Sequence, residues 1–226
     1  MTCHCAGCYD LERHFDARSA GKDLQRYREH GADSTTRMLI DALRTALGRS
    51  NSREVTLLDV GAGIGVIHHE LVDANVSEAV HVDAAPAYVE AAREETGRRH
   101  HQARVRFVVG DFVAISDAIE AADLVTLDRV ICCYADMDGL VRRSAEKARS
   151  FYGAVYPRRD WWVRAMVGVQ NGLRRLKGSP FRTFLHSPKA IANRLREVGL
   201  EPVERRRTLV WEVVVFRRET AESSSS

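Results

Sequence analysis

No apolar run in this 226-residue sequence approaches the roughly 18 residues that a transmembrane helix needs. The opening stretch from Met1 to Tyr9 holds three cysteines and no apolar core, so neither a membrane span nor a secretory signal is expected. Cysteine is scarce. The five fall as Cys3, Cys5 and Cys8 plus the adjacent pair Cys132 and Cys133, an odd number in a pattern unlike a disulfide framework. That usage points to reduced thiols and a cytoplasmic setting. Internal repeats are lacking, and the one low-complexity stretch, Ser223 to Ser226, reads as part of a disordered tail over 219–226.

What is present is the balance of an ordinary globular protein: 45% hydrophobic and 29% charged residues, in a chain long enough to bury a core without disulfides. Net charge is only +3, but it is unevenly placed: from Leu140 to Arg218 there are 19 Lys and Arg against 6 Asp and Glu, while residues 1–139 carry 15 against 23. Either something anionic docks on the C-terminal side, or that side is a solvated basic face.

From Asp10 to Ala46 apolar residues recur at helical spacing, broken at His30-Gly31-Ala32-Asp33. Gly31 can end one helix and Ser34 can cap the next, which predicts a helical hairpin that with the N-terminal cysteines makes up residues 1–52. After a polar linker, Gly48 to Arg53, β-branched runs at Val55–Val60, Ala79–Asp83, Val105–Val109, Leu124–Leu127 and Gly153–Tyr156 alternate with helical stretches at Val66–Asp73, Pro86–Arg99 and Asp138–Arg149. This alternation predicts an α/β fold, a doubly wound sheet over 53–218. Asp160–Leu176 and Ser187–Val198 read as helices, and Pro202–Thr208 with Val210–Phe216 as a closing hairpin of strands.

The strongest local signal is Leu57-Leu-Asp-Val-Gly-Ala-Gly-Ile-Gly65, a strand running into three alternating glycines and then a helix. Glycines let the backbone turn sharply against a ligand, and the helix start offers free amides, so a nucleotide-like cofactor fits. A dinucleotide fingerprint would want glycine at the sixth position, where Val66 stands, which disfavours NAD. Asp83 closes the next strand 22 residues after Gly61, where a carboxylate can accept from both hydroxyls of a ribose. Gly110-Asp-Phe112 closes the third, setting a carboxylate beside an aromatic ring. Each such aspartate alone is more often a helix cap or turn former; three in register on successive strand ends form a site.

With these residues the chain resembles the class I S-adenosylmethionine-dependent methyltransferases. Leu58 to Gly65 looks like their first motif, Val82-Asp83 their second and Gly110 to Phe112 their third, while Leu124 to Arg129 sits where their fourth strand ends beside the methyl donor. The resemblance implies a Rossmann-like seven-stranded sheet with a C-terminal antiparallel hairpin and an N-terminal helical cap, and S-adenosyl-L-methionine as cofactor. It implies that Asp59 and Gly61 lie near the methionine end, that Gly63 and Gly65 also bind the cofactor, that Asp83 holds the ribose, that Asp111 and Phe112 frame the adenine, and that Asp128 borders the donor. A narrower similarity, carried by Asp128 to Tyr134, Val155-Tyr-Pro157 and Phe181-Arg-Thr-Phe-Leu-His186, is to the magnesium-protoporphyrin O-methyltransferases, which methylate a propionate carboxylate. The chain departs from that group at Cys132-Cys133, where those enzymes carry a histidine before the tyrosine.

Methyl transfer asks the protein to hold donor and acceptor aligned and to remove a proton where the acceptor keeps one; a carboxylate acceptor needs no base. The acceptor-side candidates are Asp128, Arg129 and Tyr134, then Tyr156, and in a late insert (158–186) Arg182 and His186. Each has a bland alternative: His186 as a surface histidine before Ser187-Pro188, Arg182 as the partner of an acidic neighbour. Trp161 and Trp162 among Arg158, Arg159 and Arg164 read either as a lid or as a helix packed on the sheet, and Phe15, Tyr27 and Met38 either as the substrate mouth or as hairpin core. Adjacent His68 and His69 point about 100° apart on a helix and cannot readily chelate one ion, so they are expected at an exposed surface and no metal site is assigned. Three thiols at Cys3, Cys5 and Cys8 can wrap a soft metal or be a plain reduced terminus.

The function expected is therefore methyl transfer from S-adenosylmethionine to a small, anionic molecule, with O-methylation favoured. An RNA methyltransferase is the second reading, motivated by the basic last third; against nucleic acid, Leu127-Asp-Arg-Val130 lacks the Asn-Pro-Pro-aromatic type used on base amines, and Cys132 lacks the preceding proline of a cytosine-attacking thiol. A thiol protein that binds or methylates a metal or metalloid is the third.

Overall fold

The computed structural model describes residues 15–48, 54–74 and 76–219. The N-terminal cysteines, the polar linker and the serine tail lie outside the described residues. Among the described residues two helices come first, α1 (Ala17–His30) and α2 (Ser34–Gly48). Asp16 accepts from the Ser19 amide at 2.8 Å to start α1, and Gly31, at φ 73°, ends it. The cap of α2 is one residue earlier than the sequence suggests: Asp33, not Ser34, accepts from the amides of Thr35 (3.1 Å) and Thr36 (3.0 Å). A carboxylate beats a hydroxyl there because it can take both donors at once and carries charge toward the positive helix end.

Seven strands follow in one sheet: β1 (Val55–Val60), β2 (Val76–Asp83), β3 (Val105–Val109), β4 (Ala122–Asp128), β5 (Ala148–Pro157), β6 (Leu200–Arg207) and β7 (Trp211–Arg218). The helices between them are α3 (Val66–Val72), α4 (Pro86–Arg98), the single turn α5 (Phe112–Ile115), α6 (Met137–Glu146), α7 (Trp161–Leu176) and α8 (Pro188–Arg196). Strand order is β3-β2-β1-β4-β5-β7-β6, the first five parallel and β7 antiparallel between β5 and β6. The sequence reading stops short at β2 and β5, where polar Ser77-Glu78 and Arg149-Ser150 follow the first residue, and carries α6 three residues too far: Ala148 and Arg149 already belong to β5.

Side chains along the strands alternate between two cores. Leu58, Val125, Val214 and Phe216 face α6 and α8, while Leu57, Leu124, Val213 and Val215 face α2 and α3. Gly153 sits where α2 crosses β5, and a Cβ there would fall 2.9 Å from Leu39 Cδ1. A third cluster, with Leu24, Tyr27, Ile64 and Tyr88, binds α1 to α4 and to the loop after β1. Buried Glu95 reinforces that contact, accepting from Arg28 Nε at 2.8 Å and Arg99 Nε at 2.9 Å.

One sequence expectation fails outright: His68 and His69 are not on an exposed surface but are fully buried. Helix α3 is covered on two sides. His68 points toward the sheet, its ring 5.2 Å from His81 and 6.2 Å from Phe107, while His69 lies parallel to Tyr27 of α1 and 6.3 Å from His101. The 100° divergence that argued for exposure instead sends the two rings into two different contacts.

Burial holds these imidazoles neutral, His68 at about 3, His69 at about 2 and His81 well below the ordinary 6.5. In the unfolded chain they take up protons near 6.5, so the unfolded state binds protons first and stability falls as pH drops below that value. His81→Phe should therefore flatten the acid limb by up to about 1.4 kcal/mol per pH unit relative to wild type. Urea unfolding at a series of pH values between 7 and roughly 4 checks this; parallel curves for the two proteins would contradict it.

Candidate active site

The sheet order reverses between β1 and β4, and at such a switch point the loops leaving the strand ends part and open a crevice. A cavity of about 310 Å³ occupies it, lined by residues 59–64 after β1, 82–85 after β2, Gly110 and Phe112 after β3, and 128–130 with Cys133 and Tyr134 after β4. The outer wall comes from Phe15 and α1 (Asp23, Arg26, Tyr27) and from the α1–α2 turn with Thr36. Tyr88 of α4 closes one side, its hydroxyl donating to Asp23 at 2.7 Å.

The glycine loop shapes the floor. Gly61, Gly63 and Gly65 all have left-handed φ, at 62°, 58° and 82°. Gly61 is pressed against Val130, whose Cγ2 would lie 2.5 Å from a Cβ at that position. Gly65 does not line the cavity; a Cβ there would fall 2.2 Å from His68 Cε1, so its lack of side chain makes room for the buried imidazole. Only Gly63 offers its bare face toward the cavity side, with Tyr88 3.7 Å from where a Cβ would stand.

Three carboxylates converge at the strand ends. Asp59 is buried; one oxygen accepts from Thr126 Oγ1 at 2.7 Å, the other has no hydrogen-bond partner among the described residues, and desolvation pushes the carboxyl up to about 7. His68 Nδ1 is 3.7 Å from that second oxygen. Asp83 accepts from the Gly63 amide and the Ala85 amide, both at 2.8 Å, and desolvation outweighs these bonds to raise it to about 6. Each of its oxygens keeps a further lone pair for a ligand hydroxyl. Asp128 is raised by desolvation too, against the pull of Arg129, and accepts from Thr36 Oγ1.

Arg129 is the strained residue of the site, a non-glycine at φ 62°. That twist turns its guanidinium back toward α2, where Nη1 meets Asp33 at 2.6 Å and Nε meets Asp128 at 3.2 Å. The arginine therefore ties the end of β4 to the cap of α2. Asp33 is held down at about 2: burial alone would raise it, and Arg129 with the Thr36 amide more than offsets that.

Of the residues expected from sequence, Asp59, Gly61, Gly63, Asp83, Phe112, Asp128, Arg129 and Tyr134 line the cavity, as do Phe15 and Tyr27. Asp111 stands just behind it, capping α5 through the Val113 amide and accepting from the Tyr134 hydroxyl. Others are elsewhere. Met38 packs against the sheet core, and Tyr156 is a buried core ring. Trp161 is exposed and Trp162 half-buried, neither lining the cavity.

The late insert departs most from expectation. Arg182 does not reach the cavity: its Nη1 donates to the carbonyls of Ser179 (2.6 Å) and Phe181 (2.8 Å), its own loop. His186 Nε2 lies 2.7 Å from the Tyr134 carbonyl, and the Phe184 amide donates to the Cys132 carbonyl at 2.7 Å. These residues brace the back of the β4 loop. The reason is that the segment is too short of regular structure to satisfy its own carbonyls, so its polar side chains are taken up in doing so. Both Cys132 and Cys133 turn their sulfurs to the Arg129 carbonyl, and only Cys133 borders the cavity. Asp23, Arg26, Asp33, Thr36 and Tyr88 were missed; the only trace of them in sequence is the helix break at Gly31 to Asp33.

A family model described as a methyltransferase domain matches residues 58–149. No curated protein matches the sequence. Among solved structures, magnesium protoporphyrin IX methyltransferase from Synechocystis PCC 6803 with bound S-adenosylhomocysteine aligns with a TM-score of 0.70 at 17% identity, covering 94% of this chain and all of that one. Human N-acetylserotonin methyltransferase in complex with S-adenosylmethionine aligns at 0.62 and 18%, over 91% of this chain and 57% of its own. A methyltransferase from Haloferax volcanii in complex with its Trm112 activator aligns at 0.66 and 16%, over 92% and 97%. The likeness to these structures is one of fold. The glycine cradle and the unpartnered oxygen of Asp59 suit a cofactor with a polar end.

Gly61→Ala should lose about 1 to 2 kcal/mol from the left-handed backbone alone, and more from the Val130 contact. Thermal unfolding measures it, and adding Val130→Ala should recover only the second part. Full recovery would show that backbone conformation is not what selects glycine here.

Proposed function

We propose that this chain is an S-adenosylmethionine-dependent methyltransferase that moves the cofactor's methyl group to an oxygen of a small anionic acceptor, and that the acceptor's charge is met by Arg129 and Arg26 in place of Arg182. The observation that carries the reading is that these two arginines line the cavity, Arg129 just after β4 beside Asp33 and Asp128 and Arg26 on α1 beside Asp23, while Arg182 does not reach it. The basic C-terminal third supports the anionic character of the acceptor.

When bound, the cofactor supplies a methyl group on a sulfonium, electrophilic and ready for in-line displacement. The chain's own residues do the rest by holding. In this assignment Asp83 accepts from the ribose hydroxyls with the lone pairs its two amide bonds leave open, and Phe112 borders the adenine, with Asp111 behind it holding the start of α5 and Tyr134 in place. Gly61, Gly63 and the free oxygen of Asp59 meet the methionine end, where an ammonium would supply the partner that oxygen lacks. Asp128 and Tyr134 border the reacting atoms, and His186 acts through Tyr134 as a positioning residue. A carboxylate acceptor arrives without a proton, so orientation and water exclusion are the protein's main tasks. For a hydroxyl acceptor, Asp128 is the nearest candidate base, its affinity for a proton already increased by burial.

Two results test the assignment. Asp83→Ala should weaken S-adenosylmethionine binding by roughly 10- to 150-fold, the loss of charge-assisted hydrogen bonds. In the wild type the same affinity should fall as pH drops through about 6, because the protonated carboxyl of Asp83 no longer accepts from both hydroxyls. Calorimetry on both proteins checks this; unchanged affinity in the variant would remove Asp83 from the ribose.

On the acceptor side, Arg26→Ala and Arg129→Lys should each lower kcat/KM by about one to two orders of magnitude with cofactor affinity within a few-fold of wild type. A radiolabelled methyl-transfer screen over carboxylates, phenols, thiols and RNA finds the acceptor first. Transfer to RNA alone would replace the small-molecule reading.

A further inference from the structure

Helix α7 is a surface helix with its apolar residues on the wrong side. It buries Val163 and Val167 against the body of the protein, yet leaves Trp161, Val169, Leu173 and Leu176 outside, with Trp161 81% and Leu176 86% exposed. At 100° per residue these four fall within about a third of the helix circumference, together with Ala165 and Gly172, on the face opposite the buried valines. The patch continues beyond the helix. Arg158 donates from its amide to Val210 and from its guanidinium to Thr208, which sets the β6–β7 turn, and its exposed Leu209, beside the start of α7.

The sequence of the helix and the segment after it carries charge of one sign. Between Asp160 and Glu197 there is no acidic residue, while eight are basic: Arg164, Arg174, Arg175, Lys177, Arg182, Lys189, Arg194 and Arg196. Arg164 and Arg175 are exposed along one edge of the apolar stripe, and Lys177 at its end. A second copy of the chain would bring the same positive charge to the same face. What complements aliphatic side chains and an exposed tryptophan ringed by arginine is a surface apolar below and anionic above.

From this arrangement we propose that α7 is an interfacial docking helix, which lays Trp161, Val169, Leu173 and Leu176 into the outer leaflet region of an anionic bilayer while its arginines meet the lipid phosphates. No helix of the described residues is long and apolar enough to span a membrane, and docking of this kind needs none. The placement matters for the site. Asn171 and Arg174, on the inner side of α7, bond Thr183 at 2.9 and 2.7 Å, and the loop carrying Thr183 is hooked to the carbonyls of Cys132 and Tyr134 at the back of the loop after β4. A bilayer under α7 would lie next to the catalytic cavity, where an amphiphilic anion could pass from lipid to active site. That last step rests on the proposed acceptor class; the docking does not.

The test is co-sedimentation of the full chain with vesicles of phosphatidylcholine alone or mixed with phosphatidylserine, alongside tryptophan emission. Binding to the mixed vesicles with a blue shift is expected, weakened by salt and little seen with phosphatidylcholine alone. Leu173→Glu with Leu176→Glu should reduce partitioning by about tenfold or more, and Arg164→Glu with Arg175→Glu by a similar factor. All these side chains are exposed, and unchanged S-adenosylmethionine affinity reports that the variants are folded. Absence of binding by wild type, or binding that the leucine variant leaves intact, would overturn the proposal. So would a dimer in sedimentation velocity that the leucine variant dissolves without any vesicle binding. Failure of the acceptor reading would leave these vesicle results unchanged.

Discussion

Everything at the site hangs on the reversal of strand order between β1 and β4. Because β1 hands the chain to β2 on one side and pairs with β4 on the other, the loops after β1 and β4 must diverge, and a crevice opens over the carboxyl ends of the sheet. The hydrophobic sheet forces Asp59, Asp83 and Asp128 into that crevice at the ends of their strands. Their shared burial is what raises all three carboxyls above the ordinary range.

Such a crevice would be open to water without the two helices that precede the sheet. The α1–α2 hairpin covers it with an ion-paired latch: Asp33 at the cap of α2, Arg129 in its left-handed conformation, and Asp128 at the end of β4. The same hairpin seals α3 from the other side, which is why two histidines that look solvent-facing in sequence are neutral and enclosed. Cover and cavity floor are thus one construction, since Gly65 yields space to His68 directly beneath the loop whose preceding glycine, Gly63, faces the cavity.

The late segment illustrates a general competition. An irregular stretch between α7 and α8 has few backbone bonds of its own, so Arg182 and Asn171 are drawn into satisfying its carbonyls and amides, and His186 into holding the neighbouring β4 loop. Residue types that chemistry would choose for anion binding are therefore consumed by structure. Meanwhile α7 presents an apolar face that the fold itself does not use, flanked by arginines within a stretch of more than thirty residues that holds no acidic one.

Sequence alone determined the strands, the glycine loop and the aspartates at or next to the strand ends, because these depend on local spacing: period-two burial, left-handed turns that only glycine adopts cheaply, and a carboxylate where a strand gives way to its loop. Even its errors there are of boundary, as where polar Arg149 and Ser150 hid the start of β5. What only the tertiary structure decided is which side chains meet across the crevice. Asp33 and Arg129 are 96 positions apart, Tyr27 and His69 are 42, and nothing in the local pattern of either partner announces the other. Burial of His68, withdrawal of Arg182 and the outward face of α7 all follow from packing of whole elements, a property of distances between chain segments that no window of sequence contains.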